Sequence, residues 1–493
     1  MTTPSSWTNI SFLKASTPVA NSFMGNASAV YENIAVLGAP SENGNTGAVY
    51  IFSKNTTTGV WSQQQKLVGA VSGDNFGNSV SLYGDTLAIG AYSIGSDTVG
   101  EYVSIYRLSG TTWNLERKIT NPNPSPAPAP GDNFGYAVSL YTDTLAICAP
   151  GYTTSPGNSE GAVYIYTRSG TTWTLQTTLT NSPIQNIRYA YSVSLYGTTL
   201  AVGAQFESTT VVNSGAVYLY TGSGTSWTQQ QIIKAIIPVI SSGFGTYVAL
   251  YGDILAVGTL GSNTNGAYVF TRSGVTWTQR QILTPTTPSP GTASGFGQTV
   301  ALYDTIVVVG AKFDNGNATG VNGSNTGTLT GAGATYAYVT VDAGVTWTQN
   351  AYMKASATPT PVANDNVATS VAIYGTIILA GAPGQDTGGS SSGAGYLYEP
   401  PFVGPTPSTS GTTRSIVVDP CCSFTNCIRV SLPTLTEDSV ITETHEAKTI
   451  LSATNALYAG INNGTITANP NPTFGSYREY MLYVQGKLKF VKG

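Results

Sequence analysis

Side chains able to do chemistry are scarce in this chain and unevenly placed. Its single histidine, His445, lies near the C-terminus. No Ser-His-Asp or Cys-His arrangement can therefore be assembled within residues 1 to 400. Carboxylates are the remaining acid-base groups there, and most stand where turns need them. Asp74, Asp132 and Asp365 come just before a recurring Phe-Gly position; Asp85, Asp143, Asp253 and Asp304 sit at hairpin tips; Asp342 precedes an Ala-Gly turn. No pair in the sequence suggests two acids converging on a substrate, so the expectation is a protein that is not an enzyme. Asp314-Asn-Gly-Asn317 has the oxygen-rich spelling of a cation loop, but Asp-Asn-Gly is also ordinary turn chemistry. Cys421, Cys422, Cys427 and His445 could form a Cys3His zinc site, although paired Cys-x-x-Cys knuckles are missing; one disulfide or plain thiols are the other readings. No metal and no cofactor are expected.

Composition points to the elements that must carry whatever function there is. Charged residues make up only 9% of the 493, against 56 glycines and many Ser, Thr and Asn. Turn formers alternating with Thr, Val and Tyr predict an all-β chain with many tight turns. A net charge of −4 argues against nucleic acid, which needs a basic stripe. No apolar run has the length of a membrane span, and the N-terminal stretch has neither a basic start nor an apolar core of a secretory signal.

Four landmarks recur roughly every 55 residues, a period that fits the four-stranded blades of a propeller. The first is Phe-Gly, at Phe76, Phe134, Phe244 and Phe296, with looser versions at Phe23-Met24-Gly25, Tyr189-Ala190 and Val367-Ala368. The second is Gly-Ala-Pro and its variants, at Gly38, Gly90, Cys148, Gly203, Gly258, Gly310 and Gly381. The third is Gly-Ala-Val-Tyr at Gly47, echoed at Gly100, Gly161, Gly215, Gly266, Gly333 and Gly393. The fourth is a Trp strand, at Trp61, Trp113, Trp173, Trp227, Trp277 and Trp347. Strands one and two form a hairpin across Gly-Asp tips, and strands three and four another across Ser-Gly. The seventh repeat ends at Tyr398 without a Trp strand, whereas one stands alone at Trp7 to Lys14. The N-terminal strand is expected to complete the seventh blade and remove the open edges of a linear stack.

Phe-Gly, Gly-Ala-Pro, Gly-Ala-Val-Tyr and Trp-Thr-Gln-Gln together make residues 7 to 398 resemble the FG-GAP repeat proteins, best known from the headpieces of integrin alpha subunits. The spelling of the Trp strand is closer to uncharacterised FG-GAP proteins of microbes and large viruses. The resemblance implies a seven-bladed β-propeller and makes ligand binding on the face of the longer loops plausible. It also implies calcium loops spelled Asp-x-Asp-x-Asp-Gly between strands one and two. Here those loops have shrunk to Tyr-Gly-Asp-Thr or less, and a single Asp cannot supply about six oxygens.

Strand parity puts the two kinds of hairpin turn on one face and the 2-3 and 4-1 loops on the other. The second face is long and varied, with loops at 121–133, 204–214, 284–294 and 312–332. Variable loops on a rigid frame are where recognition usually sits. The candidate contacts are Tyr92, Tyr152, Phe206, Lys312 and Phe313 at the starts of 2-3 loops, and Arg188 in a 4-1 loop; packing between blades is the alternative role for the aromatics.

Residues 1–400 are thus read as the propeller, 401–413 as a Pro/Ser/Thr linker, and 414–493 as a small, β-rich α+β docking domain. Strands are predicted at Arg414 to Val418 and Cys427 to Leu432, a helix around Glu443 to Tyr458, and a hairpin turning at Gln485-Gly486. The functional expectation is a surface-exposed recognition or adhesion propeller binding a protein or glycan. The alternative is a structural or spike component of a virus particle, fixed to capsid or other surface proteins through residues 414–493.

Overall fold

The computed structural model describes residues 7–92, 101–122, 131–154, 159–181, 187–260, 266–286, 295–356, 359, 361–401, 417–420 and 428–431. The chain divides into two compact units, Met1–Pro405 and Thr406–Gly493.

The first unit contains seven four-stranded antiparallel sheets. In six of them the strands pair in chain order, as antiparallel neighbours joined by turns and loops do. Blades one to six span residues 27–68, 79–120, 138–180, 189–233, 248–283 and 296–353. Blade seven takes three strands from residues 370–399 and its outermost from Asn9–Leu13. In that closing pair Asn9 lies opposite Glu399 and Leu13 opposite Gly395. The first strand of each blade lies against the first strands of both neighbours, and contact between blades seven and one closes the ring. The chain is therefore an all-β propeller closed by its N-terminal strand, as the count of Trp strands predicts.

The landmarks owe their recurrence to the seams between blades. A Cβ on Gly38 of blade one would lie 1.9 Å from the carbonyl oxygen of Gly77, which opens blade two, and Gly77 itself has a φ of +92°. The Gly-Ala-Pro glycine of one blade and the Phe-Gly glycine of the next thus meet backbone to backbone, where no side chain fits. Gly381 and Gly25 repeat the contact at the closing seam. There the structure corrects the reading of the first repeat. Met24, fully buried and bridged to Gly393, occupies the place that Phe76 and Phe244 hold elsewhere, while Phe23 is turned to solvent. What the seven repeats share is the positive φ of the residue that follows, glycine in five and alanine at Ala190 and Ala368, not the aromatic.

The glutamines of the Trp strand also serve the seams. The Gln65 side chain donates to the Trp113 carbonyl oxygen (3.0 Å) and accepts from the Trp113 amide (2.7 Å) of the next blade. Gln231 with Trp277, and Gln281 with Trp347, repeat this two-bond clasp. At the closing seam Glu399, 2% exposed, takes its place. It accepts from Trp61 Nε1 (3.0 Å) and pairs with Lys54 Nζ (2.6 Å). Removing one partner of such a buried pair costs about 3–5 kcal/mol, so this seam is fastened, not merely abutted. Apolar packing supplies the rest: the core consists of clusters shared between adjacent blades, such as Leu67, Phe76, Leu87 and Trp113.

In the second unit, Val417–Pro420 pairs antiparallel with Ile428–Ser431, overlapping the two strands read from sequence. The predicted helix and terminal hairpin, Cys421, Cys422, Cys427 and His445 lie outside the described residues. Among the described residues no helix is long and apolar enough to cross a membrane.

Candidate functional site

The two mouths of the ring are built differently. At the turn end, each first strand finishes in a tyrosine: Tyr31, Tyr83, Tyr141, Tyr196, Tyr251, Tyr303 and Tyr374. These seven close a continuous aromatic circle. Neighbouring ring centroids are 4.4–5.3 Å apart, with interplanar tilts of 43–59°. Hydroxyls of Tyr141, Tyr196, Tyr251 and Tyr303 are hydrogen-bonded in sequence around it. Burial, with the nearby Tyr303 and Asp304, pushes Tyr251 up to about 12. Around this circle the turn acids are tied down by strand-three arginines: Arg107 to Asp85, Arg168 to Asp143 and Arg272 to Asp253. The repeated Leu-Tyr that announces the circle is visible in the sequence, but its spacing gives no hint that the side chains meet.

The loop end lacks that symmetry. Tyr92 stacks on Tyr136 (5.3 Å), and Tyr136 on Tyr191 (5.0 Å). Burial and the neighbouring Tyr191 hold the Tyr136 hydroxyl well above its ordinary range. Tyr247 of blade five continues the arc, its hydroxyl end near Tyr191 and 41% of the residue exposed. The arc thus crosses blades two to five. Tyr136, Tyr191 and Tyr247 are absent from the sequence-derived candidates. The signal was present, since Tyr replaces the Asn after Phe-Gly at 136 and after Tyr-Ala at 191.

The sequence-derived candidates separate into three groups. Tyr92 joins the arc. Tyr152 packs edge-on against Tyr164 of its own blade at 6.5 Å. The other four form two cation-aromatic pairs on the loop face: Arg188 over Phe206 at 4.8 Å, and Lys312 over Phe313 at 4.9 Å. Phe313 is 48% exposed, while partial burial lowers the Lys312 ammonium's affinity for its proton. The candidate loops at 121–133 and 284–294 lie in large part outside the described residues.

The Asp314 loop resolves into a structural knot. The Asp314 carboxylate, fully buried, accepts from Tyr336 and Tyr352 hydroxyls (3.0 and 3.2 Å) and the Gly316 amide (2.8 Å), and it pairs with Lys354 Nζ at 3.0 Å. The place of a bound cation is filled by the chain's own ammonium. Asn317 turns away and accepts from the Thr326 and Gly327 amides, pinning the long loop of blade six to itself. Glu42 with Tyr50 and Lys66 is a second example of the same acid, tyrosine and lysine set.

An open recess of about 610 Å³ lies at the closing seam, between the N-terminal strand and the outer strand of blade one, and is lined by Phe12, Val60, Trp61 and Pro401. It holds no titratable side chain and offers no chemistry.

Seven blades around a common axis, one mouth uniform and the other varied, define a closed β-propeller that presents loops on one face. The FG-GAP repeat profile matches residues 61–104, 113–166, 173–220, 277–329 and 347–398, about half of the chain; the chain belongs to the FG-GAP repeat family. A search of curated proteins finds no match. Among solved structures, a Bacteroides fragilis protein provisionally assigned as a 6-phosphogluconolactonase is similar at 10% identity and a TM-score of 0.44, covering 69% of this chain and 86% of its own. That score bears on neither reaction nor ligand.

Proposed function

We propose that this chain is a non-catalytic recognition propeller, displayed on a surface, that binds a protein or glycan through the face of its 2-3 and 4-1 loops. The observation that carries this reading is the asymmetry of the two mouths. One is a continuous tyrosine circle with three of the turn acids around it, Asp85, Asp143 and Asp253, paired to arginines. The other carries Tyr92, Tyr136, Tyr191 and Tyr247 and, on other loops of the same face, the Arg188–Phe206 and Lys312–Phe313 pairs. Aromatics and arginine are the side chains that most often dominate binding energy. A non-catalytic role is supported by the absence of histidine from residues 1–400 and by the pairing of the turn acids Asp85, Asp143 and Asp253 with arginines.

The test is a protein and glycan array probed with the full chain. Tyr136→Ser/Tyr191→Ser should weaken any hit at least about tenfold, whereas Asp85→Asn/Asp253→Asn on the other face should leave it unchanged. Loss of binding in the second variant alone would place recognition on the turn face.

A further inference from the structure

The chain contains an internal control for one of its surface loops. Residues 14–25, entering blade one, and 234–245, entering blade five, align without a gap, KASTPVANSFMG against KAIIPVISSGFG. Their backbone states match residue by residue. The supporting bonds match too. Ser16 and Ile236 amides both donate to a glutamine side chain, Gln63 and Gln279; Asn21 and Ser241 amides donate to the Ser390 and Val212 carbonyls; Ser22 and Ser242 hydroxyls donate to the Ser392 and Ser214 carbonyls. The fold of this loop is thus achieved twice with the same fastenings.

The two copies differ in what they show to solvent. Where the first has Ser16, Thr17 and Ala20, the second has Ile236, Ile237 and Ile240, exposed by 71%, 74% and 57%. The loop bonded beneath differs in the same sense: Ser390 in blade seven corresponds to Val212 in blade four, 57% exposed. Four coincident aliphatic residues therefore contribute nothing that the loop needs in order to fold. Clustered exposed apolar surface marks an interaction site more often than chance.

We propose that Val212, Ile236, Ile237 and Ile240 form a docking patch for a protein segment that presents apolar side chains beside a carboxylate. The proposal rests on the reading of the loop face as the binding face and selects protein over glycan on it. Branched aliphatic side chains offer no hydroxyl or flat ring to a sugar, but they exclude water from other apolar side chains. The carboxylate follows from charge. Arg188, exposed on the 4-1 loop that enters blade four, lays its guanidinium over Phe206, which opens the 2-3 loop whose far end carries Val212. The nearby Lys234 is already paired with Glu207.

The experiment pans a phage-displayed library of random dodecapeptides against the full chain. It then compares the selected peptides on Val212→Ser/Ile236→Ser/Ile237→Thr/Ile240→Ala, which installs the residues of the sibling loop, and on Arg188→Gln. The expected result is enrichment of apolar peptides containing Asp or Glu. Binding should fall about tenfold or more on the fourfold variant with its melting temperature unchanged, and salt sensitivity should be lost on Arg188→Gln. No enrichment, or equal binding to the fourfold variant, overturns the patch. So does concentration-dependent self-association in the ultracentrifuge that the fourfold variant abolishes, since the occupant is then a second copy. Peptides lost on Tyr136→Ser/Tyr191→Ser but kept on the fourfold variant overturn the patch alone and leave the proposed face standing. Peptides lost only on the turn-face variant overturn both.

Discussion

Asp365 lies two residues before the Phe-Gly position of blade seven and is 1% exposed. One carboxylate oxygen accepts from the Val362 amide at 2.8 Å, and the other has no hydrogen-bond partner. Burial lifts this acid to about 6 against the pull of Lys14 and Lys354. An unfolded Asp titrates near ~3.9, so between those values the folded chain holds a proton that the unfolded chain has released. Its contribution to stability is therefore full below about pH 4, falls as pH rises, and is gone above about pH 6. Relative to Asp365→Asn, the native chain should lose up to roughly 3 kcal/mol across that interval, at ~1.4 kcal/mol per pKa unit. Melting curves of both proteins from acid to neutral pH check this; a constant difference between them would refute it. The residue is legible in the sequence only as a turn acid. Its burial and its orphan oxygen arise from the seam between blades, which no local spacing encodes. Asp314 teaches the same lesson, because Lys354, the partner that makes it structural, stands forty positions away.

The decisive element is the strand Asn9–Leu13. Sequence reasoning reached it by counting, since the seventh repeat lacks a Trp strand and one is spare. The structure adds how it is held. Trp7, fully buried, donates Nε1 to the Thr376 carbonyl oxygen at 2.8 Å, and Glu399 beside it fastens blade seven to blade one. Deleting residues 1–15 should lower the melting temperature by several degrees or more and make the chain aggregate through the bared edge Gly395–Glu399. A peptide spanning residues 5–16, added in trans, should restore part of the loss; calorimetry with and without it decides. Repetition made the strands and hairpins legible, because each seam asks for a positive φ after the Phe position, met by glycine in five repeats and by Ala190 and Ala368 in two. The loop face was legible as a face and not as a site: Tyr136, Tyr191 and Tyr247 belong to three different repeats and acquire meaning only when the ring brings them side by side.

At the scale of the whole molecule, the tyrosine circle is a feature to which all seven blades contribute one residue each. Each ring touches both neighbours, so one truncation should be felt beyond its own blade. Tyr251→Phe should cost about 1 kcal/mol through its lost hydroxyl, and Tyr251→Ala about 3–5 kcal/mol through a cavity that the circle cannot collapse to fill. Urea denaturation measures both, and equal costs for the two would show that the rings do not pack as a unit. The closing strand has a consequence in time as well as in space. Asn9 and its partner Glu399 are separated by 390 positions. A ribosome adding ~5–20 residues per second needs roughly 20–80 s to make that stretch. For that interval the earliest strand of the ring has no mate in its own chain, and the only edge that fits it is Gly395–Glu399 of a chain already made to that point.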